Sequence, residues 1–423
     1  MTAPSVKPKD NFHFSESTED FLESRNSVAS ASYGVSFIGF RSSPPRDFRV
    51  RYTDPGTPAA ALEGGKPKFV RGARILEIDG IDFVNDGSSA GLDILNAGLF
   101  PATAGETHNF TLREPDGTIR TITVVSEDLS PAAVNQVRTI DTATGRVGYI
   151  LFNTFSPFSS EAEIIDAIRS LDTQGVTDLV IDLRYNGGGL LAVSSQLGYM
   201  VAGPTRTSGR TFELLQFNAD AGNINPVTGQ TNDPIPFYST ALGFSATNGT
   251  PLPDLGLTRV FILSTGGTCS ASEALINGLR GIGIEVILIG DRTCGKPFGF
   301  YPTDNCGTTY YTIQFQGVND VGFGDYAEGF SPANANAPFA VDLPGCQVSD
   351  DLSNPLGDPG EALLAAALQY RDNQTCPIPP ASLPPLSASS ASAAQADEGL
   401  EVRMPTESLA ATNRDMRLPG GVQ

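Results

Sequence analysis

Asp178-Leu179-Val180-Ile181-Asp182-Leu183-Arg184-Tyr185-Asn186-Gly187-Gly188-Gly189 runs from an almost wholly apolar segment into three consecutive glycines. Leu, Val and Ile without polar alternation fit a strand covered on both faces, as in a parallel sheet between helices. Segments 147–152, 259–263 and 285–289 repeat the apolar pattern. Ile164, Ile165, Ile168 and Leu171 recur at helical spacing within 159–175, and a further helix is expected after Ser270. Strands alternating with amphipathic helices make this half of the chain α/β, with a largely parallel sheet. The glycine cluster fits neither a dinucleotide fingerprint nor a phosphate loop, because no Gly-Lys-Ser/Thr follows. It reads either as a tight strand-to-helix turn or as a nest of backbone N–H donors that a substrate backbone approaches closely.

Two further stretches each follow an apolar run: Thr268-Cys269-Ser270-Ala271-Ser272-Glu273 and Thr293-Cys294-Gly295-Lys296. Ser270 and Glu273 fit a helix capping box, which by itself is the commoner use of such a serine. A serine there also sits beside unpaired N–H groups and the positive end of the helix dipole, which stabilise an oxyanion. The only histidines, His13 and His108, lie far upstream, so a Ser/Lys pair needs fewer parts than a Ser/His/Asp triad. Most lysines are simply solvated. To act as a base, Lys296 must be neutral near pH 7, and lowering a pKa from about 10.4 to about 7 requires roughly 4.6 kcal/mol of desolvation.

Upstream, residues 1–32 read as a polar lead-in carrying Phe12, Phe14 and Phe21, and residues 33–129 as a small β-rich module. Short strands are expected at 34–40, 48–52, 73–78, 108–113 and 118–125, with Pro115-Asp116-Gly117 as a hairpin turn. Residues 130–375 form the α/β unit, interrupted at 204–257 by a Gly/Asn/Thr/Pro-rich insertion or lid. Asp220 to Thr231 fails as a calcium loop, since Thr231 stands where the acidic twelfth ligand belongs. Residues 308–317 alternate cleanly and read as one strand, with Tyr311, Ile313 and Phe315 on one face. The Pro/Ser/Ala-rich stretch within 376–423 is expected to be disordered.

The chain of 423 residues carries 47 acidic and 27 basic side chains, a net charge of −20. That balance, with no basic stripe, argues against nucleic acid as a partner. No stretch approaches the roughly 20 apolar residues of a membrane span. The five cysteines lack metal-ligand spacing, and neither a metal nor another cofactor is expected. Cys294 with Cys306 and Cys346 with Cys376 are feasible disulfides of an oxidising compartment; five reduced thiols are the alternative. Cys269 is a weak candidate thiol nucleophile, lacking a nearby imidazole.

Taken in order, Asp-Leu-Arg-Tyr-Asn-Gly-Gly-Gly, Ser-Ala-Ser-Glu and Thr-Cys-Gly-Lys resemble the motifs of the carboxyl-terminal processing (tail-specific) proteases. The module before them, with residues 56–62 and 72–80, resembles a PDZ domain, which takes an extended peptide by strand addition. The likeness covers roughly residues 33–370 and implies a ClpP/crotonase-like catalytic core with an inserted or preceding β-rich PDZ-like domain. It implies Ser270 as nucleophile, Lys296 as general base and Thr293 as the hydroxyl orienting the lysine. The N–H groups of Ala271 and of Gly187 or Gly188 would form the oxyanion hole. Gly34, Val35 and Phe37 would line the groove for the free C-terminus of a polypeptide substrate.

Three departures stand out. The Ser/Lys spacing is one residue longer than the family's, with the extra residue expected in the turn 281–284. Pro297-Phe298-Gly299-Phe300 puts Phe300 where many members have glutamine. The helical segment that usually precedes the PDZ module is short or missing, which suggests a processed chain. The Gly-Lys-Pro variant resembles a bacterial subgroup often exported as lipoproteins. That likeness implies a periplasmic or cell-envelope location, with membrane anchoring only through a removed signal. A non-catalytic peptide- or ligand-binding carrier on the same fold is the competing function.

Overall fold

The computed structural model describes residues 12–378 and the backbone of Arg414–Asp415. At its centre is a six-stranded sheet in the order β1 (Val134–Thr142), β2 (Gly145–Phe152), β3 (Asp178–Asp182), β4 (Arg259–Ser264), β5 (Glu285–Gly290) and β6 (Gly345–Gln347). The strands from β2 to β6 pair in parallel, and β1 closes one edge antiparallel to β2. The mostly parallel sheet expected from the apolar runs is therefore present, with an antiparallel edge strand.

Successive side chains on each strand go to opposite faces, and the two faces are covered differently. Ile150, Phe152, Leu179, Ile181, Val260, Ile262 and Leu288 pack with the buried sides of α1 (Ser159–Thr173), α2 (Leu191–Ala202) and α3 (Ala271–Gly281). Tyr149, Leu151, Val180, Phe261, Leu263, Ile287 and Ile289 face the other way, where Leu363, Leu364, Ala366 and Ala367 of α4 (Ala362–Asn373) cover them. Burial on both faces is why these strands read as continuous hydrophobic runs.

The stretch 204–257, expected as an insertion or lid, is packed into the first of these cores by Phe212, Leu215, Phe237, Ala241, Leu252 and Leu257. Buried Glu161 of α1 also ties it down, accepting hydrogen bonds from the N–H groups of Leu242, Ser245 and Ala246 and from Gln196 Nε2. Those donors outweigh burial and hold the Glu161 carboxyl below its ordinary range. Residues 308–317 are not one strand. Thr308–Tyr311 pairs with Phe14–Ser17, and Phe315–Val318 pairs with Thr211–Gln216 in a different sheet. Each half alternates correctly, and the chain crosses between sheets at Gln314, whose side chain accepts a hydrogen bond from Tyr301 N–H.

Residues 35–125 fold round their own core of Phe37, Phe48, Val50, Ile75, Phe110, Leu112 and Ile122. The strands Val35–Arg41, Asp47–Thr53, Arg74–Ile78, Thr107–Arg113 and Ile119–Val125 form one antiparallel path, and Ser89–Leu99 supplies a helix. Residues 379–413 and 416–423, most of the stretch expected to be disordered, lie outside the described residues.

Candidate active site

The carboxyl ends of β3, β4 and β5 meet at one edge of the sheet, and each of the three sequence motifs leaves from one of them. This is the general position of sites in parallel sheets. After β3, the chain turns through Arg184, Asn186 and the glycines. Gly189 has φ of +133°, and a Cβ there would lie 2.2 Å from the Phe155 carbonyl carbon, so only glycine fits. Asn186 binds this loop on both sides: its Nδ2 donates to Phe152 O at 2.9 Å, and its Oδ1 accepts from Gly188 N–H at 2.9 Å. The Gly188 N–H is thereby committed, which removes it from the expected oxyanion donors. Among the described residues, the N–H groups of Gly187 and Ala271 have no hydrogen-bond partner.

After β4, Ser270 takes φ of +58° and ψ of −110°, a conformation L-residues rarely adopt, immediately before α3 begins at Ala271. The turn is pinned to the glycine loop: Asn186 O accepts from Cys269 N–H at 3.1 Å and from Ser272 Oγ at 3.0 Å. Thr268 Oγ1 donates to Leu183 O at 2.8 Å. Ser270 Oγ is buried and makes no hydrogen bond among the described residues. Only half of the capping box is therefore made. Glu273 reaches back to Ser270 N–H at 3.1 Å, but the serine hydroxyl does not cap the helix.

The residue that organises this site is Glu273, which the sequence reading took only as a cap. Its carboxylate, fully buried, accepts from Thr293 Oγ1 at 2.5 Å, Gly295 N–H at 2.8 Å, Lys296 N–H at 2.8 Å and Ser270 N–H at 3.1 Å. One side chain thus ties the serine's turn to the lysine's loop. Burial pushes its carboxyl above the ordinary range even against these donors. Thr293 Oγ1 donates to Glu273 and accepts from Phe330 N–H at 2.8 Å, while Glu273 accepts from the main-chain N–H of Lys296. Gly295, at φ +84°, lies where a Cβ would come within 2.3 Å of Ala327 O.

Lys296 is completely buried, its Nζ 4.8 Å from the centre of the Phe300 ring and 5.3 Å from that of Phe12. Position 300, where the resemblance expected glutamine, therefore presents an aromatic face to the amine. Neither histidine bonds to Ser270. His108 Nδ1 is 2.7 Å from Asp79, and His13 accepts from Ile313 N–H.

The cysteines pair differently from one expectation. Cys269 is joined to Cys294, and Cys346 to Cys376, while Cys306 is a free, exposed thiol. The parallel pairing of β4 and β5 brings residues 269 and 294 to the same sheet edge, whereas Cys306 lies on the hairpin formed by Thr303–Asn305 and Thr308–Tyr311. Disulfide formation also removes Cys269 as a nucleophile. Cys269, Glu273 and Cys294 are close enough for a metal, with ligand atoms within 4.8 Å, but both sulfurs are consumed by the disulfide and the carboxylate is filled with donors.

Arg184, fully buried in the glycine loop, is neutralised by Asp182, Asp350 and Glu361. Its Nη1 and Nη2 donate to Glu361 at 2.7 and 3.0 Å, and its Nε to Asp182 at 2.9 Å. Burial alone would raise the Asp350 carboxyl, yet the Arg184 and Arg71 guanidiniums hold it below its usual range. Arg71 reaches this carboxylate from the β-rich module, donating at 2.8 Å, and so joins the module to the loop.

The module itself has a cavity of about 330 Å³ lined by Tyr33, Gly34, Val35, Phe37, Asp54 and Leu99, among others. All three expected peptide-groove residues are there. Asp54 Oδ1 accepts from Asn135 Nδ2 at 2.7 Å, and burial pushes its carboxyl up to about 6. A folded-state pKa raised above the unfolded value contributes stability below about pH 4 that is lost as pH rises through about 6. Asp54→Asn keeps the acceptor and removes the charge, so it should stabilise the protein at pH 7.5 by an amount on the order of 1–3 kcal/mol. Urea unfolding from pH 4 to 7.5 should show the variant gaining as pH rises; a gain equal at both ends contradicts the assignment.

Among known proteins, residues 146–299 match the model for peptidase family S41. A carboxyl-terminal-processing protease of Picosynechococcus sp. is 31% identical over 245 residues, 57% of this chain and 49% of that protein. A chloroplastic C-terminal processing peptidase of Tetradesmus obliquus is 28% identical over 46% of this chain and 35% of its own length. The chain thus spans half or less of these relatives. A crystal structure from Bacteroides fragilis NCTC 9343, provisionally assigned as an S41 protease, superposes with a TM-score of 0.62 at 23% identity. It covers 86% of this chain and 87% of that one, and so shares the fold. The glycine loop, serine turn and lysine loop that converge on one sheet edge all lie within the residues that match the peptidase family S41 model.

Proposed function

We propose that this protein is a serine endopeptidase that cleaves unstructured polypeptide near a free C-terminus through an acyl-enzyme on Ser270. The observation that carries the reading is the Ser270 hydroxyl, buried yet unbonded at the start of α3, in a turn that Glu273 ties to the Lys296 loop. A hydroxyl withheld from the cap it could make is available for chemistry, and helix N–H groups lie beside it. Lys296 is the general base, accepting the Ser270 proton as Oγ attacks the scissile carbonyl and passing it to the leaving amine. Complete burial favours the neutral amine this requires, while the Phe300 and Phe12 faces favour the ammonium. The N–H groups of Ala271 and Gly187 receive the oxyanion.

The module at 33–129 acts as a PDZ-like domain whose cavity at Gly34, Val35 and Phe37 takes the substrate's C-terminal residue. An extended backbone also has a seat near the serine: Arg414–Asp415 pairs in parallel with Gly189–Leu190, directly after the glycine loop. Two disulfides support an oxidising, extracytoplasmic location. The test is a fluorophosphonate probe followed by peptide mass mapping, alongside hydrolysis of an unfolded protein. Labelling at Ser270 with cleavage is the expected result. Tight peptide binding with neither labelling nor cleavage identifies a carrier instead.

A further inference from the structure

The Cys269–Cys294 disulfide joins the residue before Ser270 to the residue two before Lys296. No other covalent link apart from the main chain connects the serine's turn to the lysine's loop among the described residues. Cys269 is buried, whereas Cys294 is partly exposed, so an external thiolate has one sulfur to attack. Glu273 Oε2 lies 3.4 Å from Cys294 Sγ, and the same oxygen accepts from the N–H groups of Ser270 and Lys296. A reduced Cys294 thiol therefore has an acceptor in place, and taking it would draw on the carboxylate that aligns both loops. The other disulfide, Cys346–Cys376, pins the segment after α4 to β6 and touches none of these groups.

We infer that Cys269 and Cys294 are positioning residues for the Ser270/Lys296 pair, and that their disulfide makes the oxidised protein the competent form. The inference rests on the proposed peptidase reading. The reductant is a dithiol. One of its thiolates attacks Cys294 Sγ, breaking the S–S bond, and Cys269 leaves as a thiolate that takes a proton. The reductant's second thiolate then attacks the mixed disulfide and releases Cys294, again protonated. Two electrons and two protons pass to the pair, and the dithiol becomes a disulfide.

The test compares kcat and KM for an unfolded protein substrate before and after dithiothreitol, with alkylation and mass mapping to show which cysteines were reduced. Reduction of the 269–294 pair should lower kcat at least tenfold with KM little changed, and reoxidation should restore it. The Cys269→Ser/Cys294→Ser variant should sit at the reduced level and ignore dithiothreitol, while Cys346→Ser/Cys376→Ser retains the wild-type response. Fluorophosphonate labelling of Ser270 should slow in parallel. Equal kcat and labelling in oxidised and fully reduced protein, measured well below the unfolding temperature of each, overturn the inference and leave the peptidase reading intact. Absence of labelling in the oxidised protein overturns both. Should the double serine variant fail to fold, reduction and reoxidation of the wild-type chain decide the matter alone.

Discussion

Ser270→Ala is expected to lower kcat for an unfolded protein substrate by about 10⁴-fold or more, the range found when a catalytic serine is removed. The folded state should barely notice. Ser270 Oγ has no hydrogen bond among the described residues, so its loss orphans no partner, and the backbone tie from Ser270 N–H to Glu273 is untouched. Lys296→Met, which keeps most of the buried volume, should give a comparable loss if the amine is the base. The two losses should not multiply, since groups acting as one unit fail together. Rates of the single and double variants, with thermal unfolding of each, make the measurement. Ser270→Ala retaining more than a tenth of wild-type kcat would sink the nucleophile assignment.

Glu361→Ala is the corresponding expectation for stability, a loss of about 3–5 kcal/mol. Glu361 binds Arg184 through both oxygens and is itself fully buried. Removing it strands part of a buried guanidinium's charge, with Asp182 and Asp350 left to compensate. The same carboxylate caps α4 through Leu364 N–H at 3.1 Å, which adds about 1 kcal/mol within that range. Denaturant unfolding reads the result, and an apolar replacement of both partners, Arg184→Met with Glu361→Leu, should recover part of the loss. A midpoint shift equivalent to less than 1 kcal/mol would mean that the ion cluster is not what holds the glycine loop.

Much of this fold was legible because both faces of the sheet are buried. Continuous runs such as 178–182 and 285–290 have few alternative readings, and the 159–173 helix announces itself through Ile164, Ile165, Ile168 and Leu171. The serine and lysine stood out because the chain is poor in histidine. What stayed hidden depends on which strands are neighbours. Pairing Cys294 with Cys306 followed nearness along the chain, whereas the parallel register of Ser264 with Gly290 sets the true partner. That register was the available signal, since two adjacent parallel strands deliver their following loops to one edge. Glu273 was visible as a helix cap, but its three donors beyond β5 were not. The Arg184 partners at 350 and 361 could not be read at all, because nothing local distinguishes a buried arginine from a solvated one. The break within 308–317 was missed for the opposite reason: its alternation is real in each half, and periodicity carries no information about which sheet a strand joins.

The arrangement around Arg184 also sets an order of events during synthesis. The glycine loop is made when residue 189 leaves the ribosome, but Glu361 and the helix it caps arrive more than a hundred residues later. Until then the Arg184 charge at the centre of the loop has Asp182 beside it but not Asp350 or Glu361. A nascent chain therefore carries its serine and lysine before the scaffold that shapes their neighbourhood is complete.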